Sequence, residues 1–337
     1  MSFRVRPARV EDFDAIYEMA KLTGGGFTNL PPDRGTLTEK LIKSEKAFGR
    51  EADEPGNDLF LLVLENAETG QVRGTCQIFS KVGSDWPFYS YKLTTMTQTS
   101  KALERSFRAE LLTLVTDLEG SSEVGGLFLH PGERAGGLGM LLARSRYLFI
   151  RLHRRRFADR LIAELRGVID EAGGSPFWDG LAGKFFDMNF QTADELNAAH
   201  GNQFIADLMP KTPIYTALLP ESARAVMALP HPSGRAAMRM LEREGFTYER
   251  HVDIFDGGPT MEARTDEVRT IREAKLLTAS EVTPGGKTAL LASGTMKGFV
   301  ACYGAVGPPR SGAATIDPRA ADLLNIRAGG RFLRMDR

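Results

Sequence analysis

The sequence predicts an α/β protein of the α+β kind: a mixed sheet flanked by helices, with a helical insertion and a small β-rich C-terminal extension. Three observations predict it. Residues 124–166 read as strand, glycine loop, long helix and strand, a crossover that builds a partly parallel sheet. Residues 168–230 read as several short helices, and from about residue 273 the pattern changes to short β-type runs around turns. The 337 residues are 42% hydrophobic and 26% charged, which is enough apolar material for a globular core.

Taken in order, Phe3-Arg-Val-Arg-Pro7 reads as a short strand that Pro7 ends. Residues 11–22 place Phe13, Ile16, Tyr17 and Ala20 on one helical face. Residues 23–32 form a loop by their Gly and Pro content, and Asp33 caps a second helix carrying Leu37, Leu41 and Ile42. The apolar runs 59–64 and 74–82 flank Glu68-Thr-Gly-Gln71 as a hairpin. Residues 89–99 and 111–117 are further strands. A strand over 124–129 leads through the loop 130–139 into a helix over 140–157. That helix sets Leu141, Leu142, Ser145, Leu148, Phe149 and Leu152 at helical spacing, and a strand over 161–166 follows.

Ser175-Pro176 opens the helical insertion, with a cap and a proline at the first helical position. Gly201-Asn202 and Pro210-Lys-Thr-Pro213 break it. Residues 233–244 are a helix closed by Gly245, and 246–255 a strand. The tail turns at Thr283-Pro-Gly-Gly286, Gly307-Pro-Pro309 and Ala328-Gly-Gly330. The expected division is a domain over 1–270, with its insertion at about 168–230, and a β-rich module over 271–337.

Charge and composition narrow the function. Lys plus Arg is 43 and Asp plus Glu is 43, so no net charge draws the chain to nucleic acid or an anionic membrane. The longest apolar run, 59–64, is six residues, against the ~20 needed to span a bilayer. The N-terminal residues run into Glu11 and Asp12 without an apolar stretch, so no signal peptide is expected. Two cysteines, Cys76 and Cys302, and five histidines without metal-ligand spacing support neither a disulfide framework nor a metal site. A cytoplasmic protein is expected.

One motif carries chemistry. Arg134-Ala-Gly-Gly-Leu-Gly139 sits between a strand and a helix and fits Arg-x-x-Gly-x-Gly. Gly136, Gly137 and Gly139 let backbone approach a ligand, and the amides of the helix start favour an anion such as a pyrophosphate. A bare glycine turn is the plain alternative. A dinucleotide fold needs Gly-x-Gly-x-x-Gly and an acidic residue at the end of the next strand, and a nucleoside-triphosphate loop needs Gly-Lys-Ser/Thr. Neither is present.

This order of elements and motif resembles the GCN5-related N-acyltransferases, which bind acyl-coenzyme A. The resemblance narrows to the arginine N-succinyltransferases. It rests on Val5-Arg-Pro7 with Asp12, Leu22-Thr-Gly24, Leu30-Pro31, Leu127-Phe-Leu-His-Pro131, Arg144-Ser-Arg146 and Ile162-Ala-Glu-Leu-Arg-Gly-Val168. Further matches are Asp170-Glu171, Ser175-Pro-Phe-Trp178, Lys184-Phe-Phe-Asp-Met188, Ala206-Asp-Leu-Met-Pro-Lys211 and Pro213-Ile-Tyr215. His231-Pro232, Glu244-Gly-Phe246 and Val252-Asp-Ile-Phe-Asp256-Gly-Gly-Pro259 complete the series, so the likeness covers nearly the whole chain.

The resemblance implies succinyl transfer from succinyl-coenzyme A, a co-substrate and not a permanent cofactor, to the α-amino group of L-arginine, the first step of arginine breakdown to glutamate and succinate. It implies a coenzyme contact through the backbone of Leu127, with Leu129 next to it, and His231 as proton donor. The superfamily's usual tyrosine falls at Leu241, which has no ionisable group. The family occurs both as a single type of chain and as paired α and β subunits, so a homo-oligomer and such a pair both stay open.

Other residues are read from position. Glu164 and Arg166 alternate on the strand after the long helix, so they share one face and could orient substrate. Arg166 or Lys211 suits the succinyl carboxylate, and Asp187, Asp170 and Glu171 are candidates for the guanidinium. His130 is expected to play a structural or coenzyme-contacting part. His153, among Arg151, Arg154, Arg155 and Arg156, marks a solvated face or a contact for the adenosine 3′-phosphate. Transfer to ornithine or another amine, and a subunit that only supports a partner, remain alternatives.

Overall fold

The computed structural model describes residues 3–23, 29–134 and 136–337, with side chains outside 198–200. Half of the loop expected over 23–32, the two residues at the start of the chain, and Ala135 of the glycine motif lie outside the described residues.

The strands are β1 Phe3–Pro7, β2 Leu59–Asn66, β3 Val72–Phe79, β4 Ser90–Ser100 and β5 Arg105–Val115. They continue with β6 Ser122–Leu129, β7 Arg160–Glu164, β8 Ile214–Tyr215, β9 Thr247–Val252 and β10 Pro259–Arg264. The last five are β11 Lys275–Val282, β12 Lys287–Ser293, β13 Val300–Val306, β14 Ala313–Ile316 and β15 Arg331–Asp336. The helices are α1 Phe13–Lys21, α2 Arg34–Gly49, α3 Leu138–Leu152, α4 Pro176–Gly180, α5 Gly183–Phe186 and α6 Phe190–His200. They end with α7 Gln203–Leu208, α8 Glu221–Val226, α9 Arg235–Glu244, α10 Arg269–Glu273 and α11 Pro318–Leu324. No helix among the described residues is long and apolar enough to cross a membrane. None of their His, Cys, Asp and Glu side chains group as a metal site would need.

The chain divides into two compact units. The first holds residues 1–80, 122–159 and 264–337, the second 81–121 and 160–263. Residues 271–337 thus share a unit with β1, β2, β3, β6 and α3, because β13 pairs antiparallel with β1.

In the first unit β1, β2, β3 and β6 lie side by side, antiparallel. β2 is buried over nearly its whole length, as a central strand of a covered sheet must be. Phe48, Phe60, Phe149, Phe157 and Phe299 pack edge-on or tilted around one another, with centroids 5.0–6.1 Å apart. Arg6 gives Val5-Arg-Pro7 its meaning: buried, it reaches Asp12 at 2.8 Å and Glu65 at 2.8 Å. Burial works against its charge, but the hydrogen bonds to the two carboxylates win and hold its pKa above the usual arginine value. The five tail strands close into a ring, β12 to β15 to β11 to β14 to β13 and back to β12. Closure removes exposed strand edges. Leu277, Leu291, Ile316, Phe332 and Leu324 of α11 form its core.

In the second unit the strand order is β7, β10, β9, β4, β5, β8. Helices α4 to α8 supply Phe177, Trp178, Phe190, Ile205 and Ala223 to a core with Tyr91, Leu112 and Phe255.

Several boundaries differ from expectation, among them the strands expected over 74–82 and 246–255, which end at Phe79 and Val252. The helix expected over 140–157 runs Leu138–Leu152. It stops because the buried His153 ring tilts onto Phe149 and accepts the Met296 N–H at 3.2 Å, which turns the chain away. β5 begins at Arg105, six residues before the expected start, because it pairs with β4 from Ser90↔Val115 out to Ser100↔Arg105. Its outer half is exposed and polar, so it lacks apolar alternation. β7 ends at Glu164, which leaves Arg166 beyond it.

Candidate active site

The loop after β6 is built from its own side chains. His130 Nδ1 accepts from Arg73 Nη2 at 2.8 Å and from the Gly132 N–H at 3.1 Å, and Arg73 also meets Glu133 at 3.2 Å. His130 is therefore a structural clasp. Gly136 and Gly137 follow with φ of 66° and 82°, the left-handed region that glycine enters without strain. Gly137 caps α3, and its carbonyl accepts the Met140 and Leu141 N–H groups at 3.0 Å each. The Leu138 and Gly139 amides precede any intrahelical acceptor, so the helix start favours an anion. Arg134 is exposed at this turn.

Leu127 sits in a bulge of β6, and Leu129 lies two residues beyond it, paired with Gly74; both are half-buried. The register with β3 shifts between Thr75 and Gln77, where Gly126 and Leu127 together oppose Cys76. Gly126 has φ 57°, and a Cβ there would lie 2.7 Å from Gln77.

A buried polar group backs this bulge and escaped the sequence reading. Lys40 Nζ and Gln77 Nε2 both donate to the Asn29 carbonyl, at 3.0 and 2.6 Å. Arg146 donates to the Gly125 carbonyl at 3.3 Å. A Cβ on Gly125 would meet Asn29 Nδ2 at 2.7 Å and Glu123 at 3.1 Å. Burial raises the Glu123 carboxyl to about 7 against the pull of Lys40, and burial lowers the Lys40 ammonium to about 8. Gln77 within an apolar strand and Arg146 on the inner face of a helix were the available signals.

The second unit carries His231. Its N–H donates to the Arg166 carbonyl at 2.7 Å, which ties the His231 loop to the segment after β7. Its Nδ1 lies 2.7 Å from Ser233 Oγ and 3.3 Å from the Ser233 amide nitrogen. The Ser233 amide can only donate, so Nδ1 is the acceptor and the ring proton sits on Nε2. Partial burial, then the Arg166 charge, lower the His231 pKa below the ordinary value.

Arg166 stands among carboxylates. Asp256 accepts the Gly167 and Gly258 N–H groups at 2.7 and 2.8 Å, and Asp253 accepts those of Phe255 and Asp256 at 2.7 and 2.9 Å. Burial and Asp253 hold the Asp256 pKa well above the usual range. Burial and Asp253 raise Asp194 to about 6, against Arg166. Arg166 Nε is buried without a hydrogen-bond partner among the described residues.

Several expected positions do not join this group. Asp170 closes its own turn on the Ala172 and Gly174 amides, and Asp187 and Glu171 are exposed. Lys211 is exposed and donates to the Ala206 carbonyl. Glu164, by contrast, is half-buried at the end of β7. His153 is a core histidine, lowered by burial to about 4. Arg154 pairs with Asp159 and Asp266, and Arg156 is buried against the carbonyls of Arg50 and Glu51. This run is neither a purely solvated face nor a set of uncommitted phosphate ligands.

A family model described as "Arginine N-succinyltransferase beta subunit" matches residues 3–270. A Citrobacter koseri protein named arginine N-succinyltransferase is 43% identical over 280 residues, 83% of this chain and 81% of that one. A Pseudomonas aeruginosa protein named arginine N-succinyltransferase subunit beta is 42% identical over 327 residues, 96% of this chain and 95% of that one. The solved structure of arginine/ornithine succinyltransferase subunit AI from Pseudomonas aeruginosa superposes with a TM-score of 0.90 at 30% identity, covering 99% of this chain and 98% of that one.

Proposed function

The chain belongs to the arginine N-succinyltransferase family, and from that membership we propose that it transfers succinyl from succinyl-coenzyme A to the α-amino group of L-arginine. The products are N2-succinyl-L-arginine and coenzyme A. The observation that carries the reading is the 42% identity over 96% of the chain with a protein of that name.

Each site residue takes a role in this reading. The helix-start amides after Gly136, Gly137 and Gly139, with Arg134 beside them, receive the pyrophosphate. The backbone of Leu127 at the bulge meets the acyl-pantetheine with Leu129 alongside, and an amide there stabilises the oxyanion. The α-amine attacks the thioester carbonyl, and the tetrahedral intermediate expels the thiolate. His231 gives its Nε2 proton to the departing sulfur and regains one from the attacking amine, so the proton balance closes without an outside acid. Partial burial and the Arg166 charge favour the neutral ring. Arg166, with its unpartnered Nε, suits the succinyl carboxylate better than Lys211 does. Asp194 and Asp253, crowded as carboxylates, suit the acceptor's guanidinium, and Glu164 orients the acceptor.

The names subunit beta and subunit AI among the relatives support a chain that works within an assembly of subunits. The coenzyme substrate supports a cytoplasmic location. The test is coenzyme A release by the purified chain with succinyl- or acetyl-coenzyme A over arginine, ornithine and lysine. Succinyl-coenzyme A with arginine should turn over fastest. Rapid acetyl transfer to a different amine, with arginine inert, would contradict the reading.

A further inference from the structure

Residues 271–337 lie outside the matched family model, yet two of their side chains reach the glycine loop. Tyr303 on β13 donates from its hydroxyl to the Gly137 carbonyl at 3.2 Å. Arg337 donates from Nη2 to the Gly136 carbonyl at 3.1 Å. The Arg337 guanidinium lies 4.8 Å from the Tyr303 ring centroid, a cation–π contact that holds the two together. The approach is close: a Cβ on Gly137 would sit 2.8 Å from Arg337 Nη2.

From this geometry we infer that Tyr303 and Arg337 are positioning residues for the coenzyme pyrophosphate, and that the tail ring completes the coenzyme site. A trans peptide is planar, and its C=O and N–H point in opposite directions. Binding the carbonyls of Gly136 and Gly137 on the ring side therefore turns the N–H groups of Gly137 and Leu138 to the other side. Two consecutive glycines at positive φ have wide conformational freedom; the Met140 and Leu141 amides hold the Gly137 carbonyl, and the Tyr303 and Arg337 bonds add to that restraint before the ligand arrives. Arg337 also places a positive charge beside the loop, which favours a pyrophosphate by field as well as by geometry. The inference rests on the succinyl-coenzyme A reading above.

The experiment compares Tyr303→Phe, Arg337→Ala and Arg337→Lys with the unaltered chain. Coenzyme A affinity is measured by titration calorimetry. KM and kcat are measured with succinyl-coenzyme A and with succinyl-pantetheine, which has the thioester and lacks the pyrophosphate. Tyr303→Phe should raise the coenzyme A Kd and the succinyl-coenzyme A KM about 2–10-fold, the value of one hydrogen bond. Arg337→Ala should raise both about tenfold or more, and Arg337→Lys should recover part of that loss because the charge remains. With succinyl-pantetheine all four proteins should have equal KM and kcat. Unchanged coenzyme A affinity in Tyr303→Phe and Arg337→Ala overturns the inference. Equal losses with succinyl-pantetheine overturn it too, since the two residues would then act on the fold at large. If the unaltered chain fails to bind coenzyme A at all, the functional reading falls and takes this inference with it.

Discussion

His231 holds its place through two bonds that do different jobs. The backbone bond to Arg166 fixes the loop, and the Ser233 contact fixes the ring tautomer. A positioned proton carrier contributes ~10²–10⁴-fold. His231→Ala should therefore lower kcat by about that factor while the succinyl-coenzyme A KM stays within about twofold. His231→Gln should not restore the rate, because an amide cannot cycle a proton. The relay needs the neutral ring, so kcat should fall on the acid side with an apparent pKa below the usual ~6.5, since burial and Arg166 disfavour the imidazolium. A loss below about fivefold in the alanine variant would place His231 outside the chemical step.

Glu123 makes a separate, structural case. Its carboxyl is raised from 4.5 to about 7 in the folded chain, so the folded state binds its proton more tightly than the unfolded one. The stability this lends is complete below pH 4.5 and is lost as pH rises through about 7. Glu123→Gln keeps a polar group beside Asn29 and removes the buried charge. Its Tm relative to the parent chain should therefore rise from pH 5 to pH 8, by thermal denaturation at both. An unchanged difference would mean that Glu123 keeps its charge at little cost.

At the scale of elements, the unit from β6 through the glycine loop to α3 joins sequence to proposed chemistry most directly. Gly137 sits at φ 82°, with Arg337 Nη2 2.8 Å from any Cβ placed there. Gly137→Asp adds strain, a clash and a negative charge where a pyrophosphate is expected. The KM for succinyl-coenzyme A should rise at least about tenfold in a variant with unaltered circular dichroism, the effect of removing one charge-assisted hydrogen bond. This unit was legible because glycine spacing and helical periodicity are local signals. The first half of β5 was not, because residues 105–108 are exposed and only pairing with β4 defines them. The early end of α3 was also hidden. It depends on a hydrogen bond from Met296, 143 residues away in sequence. Separation in sequence also hid the Glu123, Lys40 and Asn29 group and the crowding of Asp194, Asp253 and Arg166. Single carboxylates on separate elements have no spacing to read.

At the scale of the molecule, the first unit carries the glycine loop, Leu127, Leu129 and the closed tail ring. The second carries His231, Arg166 and the buried aspartates. The division expected at residue 270 followed a change of pattern that is real in the strands, while pairing of β13 with β1 assigns the tail to the first unit. The acceptor and the acyl group together define the activity, and they meet in one covalent product. Incubation of the purified chain with succinyl-coenzyme A and L-arginine, followed by NMR of the isolated product, tests the central claim most directly. The account predicts one new amide joining a succinyl carbonyl to the α-nitrogen of arginine, formed in step with free coenzyme A, with the guanidinium unmodified. Succinyl attached to the guanidinium, or coenzyme A released with no succinylarginine formed, would contradict it.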